Sequence, residues 1–352
     1  MHVTATDVGL FVIFLVVLVG PFSIKLIEKN LEAFLFVMGV LAVSVARAWE
    51  FKLVEEAIKE PLVKGIVPAV LIAGLIFHYG RGPTERSMGW VLKRIPLKLV
   101  IFAVVVLLGL GSSVITAIIA ALLLVELVNI LPLERSARIN VVIIACFSIG
   151  LGAALTPLGE PLSTIAITKL QGPPYHATFF FLFDKLAWYI IPGIVAMGVL
   201  SLFFGGKKKT EKHILTENSE TLKDVAIRGM KVYLFVMALI LLGEGMKVVI
   251  DKYFSTVSSK ILFWVNMVSA ILDNATLTAA EIAPSLRLDQ IIAALMGLLI
   301  SGGMLIPGNI PNIISANKLN ITSKEWAILG VPVGLITMLL YFIWLFYIPV
   351  RP

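Results

Sequence analysis

Two stretches of the chain decide its fold: Gly152-Ala-Ala-Leu-Thr-Pro-Leu-Gly-Glu-Pro161 and Gly302-Gly-Met-Leu-Ile-Pro-Gly-Asn-Ile-Pro-Asn312. Each one interrupts a long apolar run with glycine and proline, which end or kink helices. At an offset of 150 residues the opening glycines align, and so do two prolines in each stretch. The sequence therefore predicts two similar broken helices, one in each half of the chain.

The segments around these stretches follow the same order in both halves. The apolar segment 97–131 is interrupted by Gly109–Ser113, and 258–284 is interrupted by Asp273–Thr276. We predict a hairpin, a broken helix and a closing helix in each half, with the hairpin tips at Gly111–Ser113 and at Asp273-Asn274. The predicted regions are N-terminal scaffold helices in 1–96, a first repeat in 97–205, a linker in 206–230 and a second, inverted repeat in 231–352.

The composition places the chain in a lipid bilayer. Of its 352 residues, 59% are hydrophobic and 14% are charged, whereas a soluble domain has roughly 25% charged residues. This excludes a soluble enzyme, and the net charge of +7 indicates cytoplasmic loops and not a nucleic-acid partner. We predict a multi-pass protein of the plasma membrane. Full-length spans are predicted at 8–27, 31–49, 63–80, 185–205, 231–250 and 325–349.

Lysine and arginine predict the orientation of the two halves. The basic segments 81–98, 133–138 and 206–231 all face the cytoplasm only if 97–131 enters the membrane and returns as a re-entrant hairpin. The second half then runs in the opposite direction, and the linker 206–230 is cytoplasmic. The predicted fold class is an all-α polytopic membrane protein, an inverted repeat with two re-entrant hairpins and two broken transmembrane helices.

Broken helices at matching positions of inverted repeats are typical of secondary transporters. Unwound backbone at membrane depth leaves polar groups that protein, water or a ligand must satisfy. Where two breaks and two hairpin tips converge, carbonyl oxygens, hydroxyls and helix ends can bind an ion. The predicted function is therefore transport of an ion or of an ion-coupled substrate.

Two carboxylates lie in these interruptions. Asp273 is at the second hairpin tip, and Glu160 is in the first break. An acidic side chain costs about 2.5–3.5 kcal/mol at the membrane centre on insertion scales, so both are candidates for binding a cation or a proton. In the structural alternatives, Asp273 caps a helix and Glu160 lies near the membrane surface.

Neutral oxygens complete the candidate site. Asn309 and Asn312 occupy the second break, where amide oxygens suit a hard cation such as sodium, although they could instead satisfy the broken backbone. Asn274 could cap a helix while Asp273 binds the ion. Hydroxyl candidates, which could also serve in packing or bond back to their own helix, are Ser112, Ser113, Thr156, Ser163, Thr164 and Thr276.

Other features narrow the class of function. Glu126 is predicted near the cytoplasmic end of the first hairpin, and Glu281 is predicted to line an outer vestibule. The sequence has no phosphate-binding Gly-Lys-Ser/Thr loop and no His/Cys cluster. We therefore expect no enzymatic activity and no cofactor, with sodium as substrate or coupling ion.

The motifs support a resemblance to a known family. Leu272-Asp-Asn-Ala-Thr-Leu-Thr-Ala-Ala280 resembles the Asp-Asn-x-x-Leu-Thr-Ala pattern of NhaD-type sodium/proton antiporters, and both breaks resemble those of the wider ion transporter superfamily. The chain is also similar to a small archaeal and bacterial family of cation transporters. The resemblance implies an elevator-type transporter that forms a homodimer, with ion-binding roles for Asp273, Asn274 and Glu160.

The predicted function is a sodium (cation)/proton antiporter. The acidic second tip departs from the anion-transporting relatives, because a carboxylate there repels a dicarboxylate. The sequence is also compatible with two other functions. One is a sodium-coupled symporter for arsenite or a small organic acid, and the other is a membrane-embedded enzyme or receptor.

Overall fold

A computed structural model describes residues 4–24, 26–27, 30–63, 67–68, 71–72, 94–204, 222–254, 258–271, 274–282, 284 and 286–348. Its regular elements are helices. The N-terminal region contains α1 (Ala5–Ser23), α2 (Leu31–Ala46) and α3 (Phe51–Val63). The first half continues with α4 (Leu97–Ile115), α5 (Ala117–Ile130), α6 (Arg135–Ala153), α7 (Pro161–Lys169) and α8 (Phe181–Phe204).

The second half begins with the long helix α9 (Leu222–Phe254). It is followed by α10 (Ser259–Val265), a 3₁₀ turn (Asn266–Ala270), α11 (Asn274–Glu281), α12 (Leu288–Ser301), a second 3₁₀ turn (Ile306–Gly308), α13 (Ile310–Leu319) and α14 (Ser323–Tyr347). In each half, two helices precede a central helix that ends in an interruption, and a short helix and a long helix follow it.

The length and composition of the helices are those of a membrane protein. Five helical segments within the described residues are long and apolar enough to cross a bilayer: Leu97–Ile115, Arg135–Ala153, Phe181–Phe204, Gly229–Val249 and Ser323–Tyr347. On the closing helices, large apolar side chains such as Trp188 and Leu340 are more than half exposed. Such surfaces need a nonaqueous partner, and lipid provides it.

Most predicted spans coincide with helices. Those at 8–27, 31–49, 185–205, 231–250 and 325–349 overlap α1, α2, α8, α9 and α14. Most of the span at 63–80 lies outside the described residues. Helix α9 begins at Leu222 and so extends into the predicted linker, of which residues 206–221 are not described.

Local sequence accounts for the ends of α14 and of α13. Thr322 caps α14 in a reciprocal capping box with Glu325, an arrangement that satisfies two backbone donors at once. Asn320 ends α13 in the left-handed conformation, which asparagine tolerates better than most residues. These signals separate the second broken helix from its closing helix within a few residues.

The core is built around α6 and α12. Residues 141–156 and 293–309 form two unbroken buried runs, which continue from these helices into the interruptions that follow them. Helix α6 packs against α4 and α8, and α12 packs against α10 and α14. The interruptions therefore lie inside the protein, where side chains can satisfy the unwound backbone.

Short helices of each half pack against short helices of the other half. Helix α5 of the first half packs against α13 of the second, and α11 of the second half packs against α7 of the first. We call the α5–α13 contact the first junction and the α11–α7 contact the second junction. A pair of reciprocal contacts of this kind is expected when two similar units face each other.

The prediction of the first hairpin tip was wrong by a few residues. Helix α4 continues through Gly109–Ser113 and ends at Ile115, so the turn lies at Thr116. The hydroxyls of Ser112 and Ser113 donate to the carbonyls of Gly109 and Leu110, at 2.6 and 2.8 Å. Serines that bond back to the preceding turn remain compatible with a helix, and α4 is consequently long enough to span a membrane.

Candidate functional site

The first break, residues 154–160, is held by hydroxyl groups. Ser163 Oγ donates to the carbonyl of Ala153 at 3.2 Å, and Thr164 Oγ1 donates to that of Pro157 at 2.6 Å. Thr156 Oγ1 donates across to the carbonyl of Ser113 near the first hairpin tip. These bonds replace the helical bonds that the break removes. Serine and threonine at these positions therefore have a backbone role in the structure.

The second break, residues 302–309, is held by an amide. Asn312 is fully buried, and its Nδ2 donates to the carbonyls of Gly302 and Leu305 at 2.8 and 2.9 Å. Its Oδ1 is also buried and accepts no hydrogen bond from the described residues. One end of this side chain thus closes the backbone, while the other presents an oxygen atom that needs a donor or a cation.

The backbones of the two breaks match at an offset of 149 residues, one fewer than the sequence alignment predicts. Ser163 bonds Ala153 as Asn312 bonds Gly302. The backbone bonds that recur at this offset are Ala154 to Leu151 with Gly303 to Ile300, Gly159 to Thr156 with Gly308 to Leu305, and Thr164 to Glu160 with Ile313 to Asn309. The one-residue correction arises because Pro161 is the first residue of its helix and Pro311 the second.

A glycine is required at the same place in each break. A β-carbon at Gly159 would stand 2.0 Å from the carbonyl oxygen of Ala153, and one at Gly308 would stand 2.5 Å from that of Gly302. Both distances are too short for any side chain. The chain therefore doubles back on the helix end in the same way in both breaks.

Glu160 and Asn309 occupy equivalent positions as the N-caps of α7 and α13. Both have extended backbones, with φ of −156° and −153°. Both side chains are buried, and neither makes the usual capping bond to its own helix. An N-cap residue normally bonds the first turn, so these two side chains are directed elsewhere.

The second break lies against α6, the helix that leads into the first break. A β-carbon at Gly150, one turn before the end of α6, would stand 2.6 Å from Nδ2 of Asn309. A β-carbon at Gly303 would stand 2.4 Å from the ring of Phe147. Both contacts place the second break against the C-terminal part of α6, the helix that leads into the first break.

Each hairpin contacts the break of its own half. The amide of Ala117 donates to the carbonyl of Gly159 at 2.8 Å. In the second half, the side chain of Asn274 lies against Gly302. A β-carbon at Gly302 would stand 2.7 Å from Nδ2 of Asn274. Asn274 Oδ1 accepts the hydroxyl of Ser269. The start of α5 is thus hydrogen-bonded to the first break, and Asn274 lies beside the second.

The structure separates the predicted site residues into three groups. Ser112, Ser113, Thr156, Ser163 and Thr164 bond the backbone around the first break. Glu160, Asn274, Asn309 and Asn312 are buried polar side chains at the breaks and the second tip. Asp273 lies outside the described residues, and Thr276 is within α11 but its side chain is not described. Within the described part of the chain, no three His, Cys, Asp or Glu residues cluster.

Sequence reasoning missed two residues that shape the hairpins. Thr116 forms the first tip at a φ of 74° and accepts a bond from the amide of Ile119 at 3.3 Å; a positive φ is rare for a β-branched residue. Ser269 bonds the carbonyl of Leu298, as Ser112 bonds that of Ile149. The signal for both was a polar residue at the end of an apolar run.

Two further carboxyls lie on the short helices α5 and α11. At the first junction, Glu126 Oε1 is 2.9 Å from Nζ of Lys318, whose side chain is 2% exposed. At the end of α11, Glu281 is 9% exposed and both of its carboxyl oxygens are buried, so the prediction that it lines an outer vestibule was wrong. Tertiary packing around α11 encloses it, which no local sequence pattern indicates.

Comparison with known proteins gives a family without an assigned activity. A family model described as "Protein of unknown function (DUF1646)" matches residues 7–348. No curated protein matches the chain.

Proposed function

The chain belongs to the DUF1646 family, and we propose that it is a secondary active transporter that exchanges sodium, or a similar cation, for protons across the membrane. The observation that carries this proposal is the pair of matched breaks. The breaks have equivalent hydrogen bonds at an offset of 149 residues, and Asn309 of the second lies against Gly150 of the helix that leads into the first. Helices interrupted at matching positions of two repeats are typical of the binding sites of secondary transporters.

An inverted repeat is part of this proposal. Its support is the equivalent hydrogen bonding of the breaks, the exchanged contacts of the two junctions and the charge bias that predicts opposite orientations for the halves. Two re-entrant hairpins would then reach the breaks from opposite sides. A pseudo-twofold axis of this kind lets one set of contacts open to either face of the membrane in turn.

The proposed cation ligands are oxygen atoms at the breaks and at the second tip. Glu160 supplies a carboxylate, Asn309 an amide and Asn312 its buried Oδ1, which accepts no bond from the described residues. Asp273, which is not described, is proposed as the second carboxylate on its motif. A mixture of carboxylate and neutral oxygen suits a hard monovalent cation.

Coupling to protons follows from the carboxylates. A desolvated carboxylate binds either a cation or a proton, since burial disfavours the bare charge. The ionised site would bind sodium on one side of the membrane, and protonation on the other side would release it. The resemblance to elevator-type transporters suggests that the breaks and hairpins move together, and that the protein forms a homodimer in the plasma membrane.

Transport in proteoliposomes tests the proposal. We expect an outward sodium gradient to drive proton uptake that a pH-sensitive dye records, and Glu160→Gln to lower the exchange rate at least tenfold. Glu134→Gln is the matched control, because it makes the same chemical change at an exposed carboxyl. Wild-type vesicles that move no protons in response to sodium would overturn the proposal.

A second candidate is a sodium-coupled anion symporter. It is favoured by the N-termini of α7 and α13, whose cap side chains do not bond them, because free helix N-termini attract anions. This alternative predicts that sodium uptake requires arsenite or a small organic acid and moves no obligatory proton. The same vesicles, assayed with and without the anion, distinguish the two mechanisms.

A further inference from the structure

Helix α3 has three different faces, and the proposed exchange site uses none of them. On its buried face, apolar residues recur at every fourth position: Leu53, Ala57 and Pro61. A second row of apolar residues is 39–86% exposed and comprises Phe51, Val54, Ile58 and Leu62. We call it the exposed apolar row. Residues three and four positions apart lie on the same side of a helix, so this row is continuous along α3.

The buried face of α3 packs against α9. Leu53 and Ala57 belong to one apolar cluster with Leu241 of α9. The hydroxyl of Tyr233, also on α9, donates to the carbonyl of Ile58 at 3.0 Å. Both α9 residues lie within Gly229–Val249, a segment long and apolar enough to cross a bilayer. Helix α3 therefore lies alongside the part of α9 that can cross the membrane.

The third face of α3 carries paired charges. Lys52 Nζ is 3.6 Å from Glu56 Oε1, and Lys59 pairs with Glu55, each pair one helical turn apart. All four side chains are at least 42% exposed. Charged groups at membrane depth are costly unless water or a partner reaches them. The two pairs also leave this face without an excess of positive charge.

The connection before α3 has the residues of a membrane boundary. Helix α2 ends at Arg47, which is in the left-handed conformation. Trp49 is 45% exposed, and its Nε1 donates to Oγ of Ser44 at 3.0 Å. Tryptophan is enriched where a membrane meets water, and arginine near a helix end reaches toward the headgroups. Lipid and water are therefore both within reach of α3 where it begins.

We propose that lipid acyl chains cover the exposed apolar row of α3 while water hydrates its ion-paired face, so that α3 separates lipid from water beside α9. An apolar row bordered by charged residues is typical of helices at a membrane–water interface. A stable protein interface buries about 800 Å² of each partner, which is more than four side chains in one row provide. Because the charged face has no excess of lysine, coverage by apolar chains and not attraction to anionic headgroups holds the row in place.

Spin labels on two adjacent residues test this arrangement without relying on transport. Cys146 is the only cysteine and is buried, so the unmodified chain treated with the label is the blank. Ile58→Cys places a nitroxide in the exposed apolar row, and Lys59→Cys places one on the charged face. In phosphatidylcholine vesicles, we expect a several-fold higher ratio of oxygen to nickel-chelate accessibility at residue 58 than at residue 59. Equal ratios at the two residues would overturn the proposal, whether or not the protein exchanges sodium.

Two further measurements distinguish lipid from other partners of the row. If Ile58→Cys does not fold, Val54→Cys and Leu62→Cys test the same row and should give the same high ratio. Dipolar broadening between labels that disappears on dilution with unlabelled protein would show a second copy of the chain on the row, which contradicts the proposal. So would a label that reaches lipid only after anionic phosphatidylglycerol is added, because headgroup attraction would then hold α3.

Discussion

The first and second breaks have the same backbone geometry and differ in their side chains. Ser163 closes the first break through a hydroxyl, and Asn312 closes the second at the equivalent carbonyl through an amide. The equivalent N-caps are an acid, Glu160, and an amide, Asn309. The unwound backbone geometry is therefore present in both breaks, whereas the ionisable side chain, Glu160, is in the first alone.

Two further carboxyls differ in a similar way. Glu126 of α5 is 2.9 Å from the lysine Lys318 of α13, whereas Glu281 at the end of α11 is buried without a cation among its described neighbours. The two carboxyls therefore lie in different electrostatic environments.

The largest effect is expected when the first junction loses its cation. Lys318→Met leaves Glu126 without its partner in a largely enclosed site, and breaking a buried pair from one side costs about 3–5 kcal/mol. We expect a marked fall in the unfolding temperature of the detergent-solubilised protein. Lys324→Met, at an exposed lysine in the same region, should leave that temperature unchanged; an equal fall in both variants would contradict a special role for the pair.

The next largest effect is expected when either break loses the glycine that lies against the carbonyl oxygen at the end of the preceding helix. Gly308→Ala places a β-carbon 2.5 Å from the carbonyl oxygen of Gly302, and overpacking of this kind costs about 1–3 kcal/mol. Gly159→Ala should act similarly. Gly111→Ala is the control, since nothing lies within 4 Å of its β-carbon. Thermal unfolding measures all three, and a stable Gly308→Ala protein would argue against the described backbone.

A smaller effect is expected when the second break receives the serine that the first break has at the equivalent position. Asn312→Ser can retain the bond to Gly302, as Ser163 bonds Ala153, but it loses the bond to Leu305. We expect a loss of about 1 kcal/mol in stability and weaker sodium binding, because the Oδ1 ligand is removed. Ser163→Ala should cost similar stability and leave sodium affinity unchanged. Identical sodium affinities in Asn312→Ser and wild type would exclude Asn312 as a ligand.

Much of the fold was predictable because glycine and proline interrupt helices through backbone sterics alone. The break around Thr156–Glu160 and the break around Pro307–Asn309 were located in this way. The register was one residue out, since proline is allowed at either of the first two helical positions. The first tip was misplaced because the Gly-Ser-Ser sequence has the composition of a turn, while its hydroxyls bond back within α4.

The roles of single side chains were less predictable. Whether Asn312 binds an ion or satisfies the backbone depended on which carbonyls lie near it, and the structure gives its two ends different environments. Burial of Glu281 results from packing between helices that are distant in sequence. Local patterns cannot report such contacts, because they arise only after the halves assemble.

Isothermal titration calorimetry of sodium binding at two pH values tests whether the breaks form a cation site that protons also occupy. If the breaks form one cation site in which protons compete with sodium, the dissociation constant should rise as the pH falls, with proton release accompanying binding. Potassium-free buffer with an organic cation in place of sodium gives the blank. An identical sodium affinity at both pH values, or the absence of sodium binding by folded protein, would contradict the account.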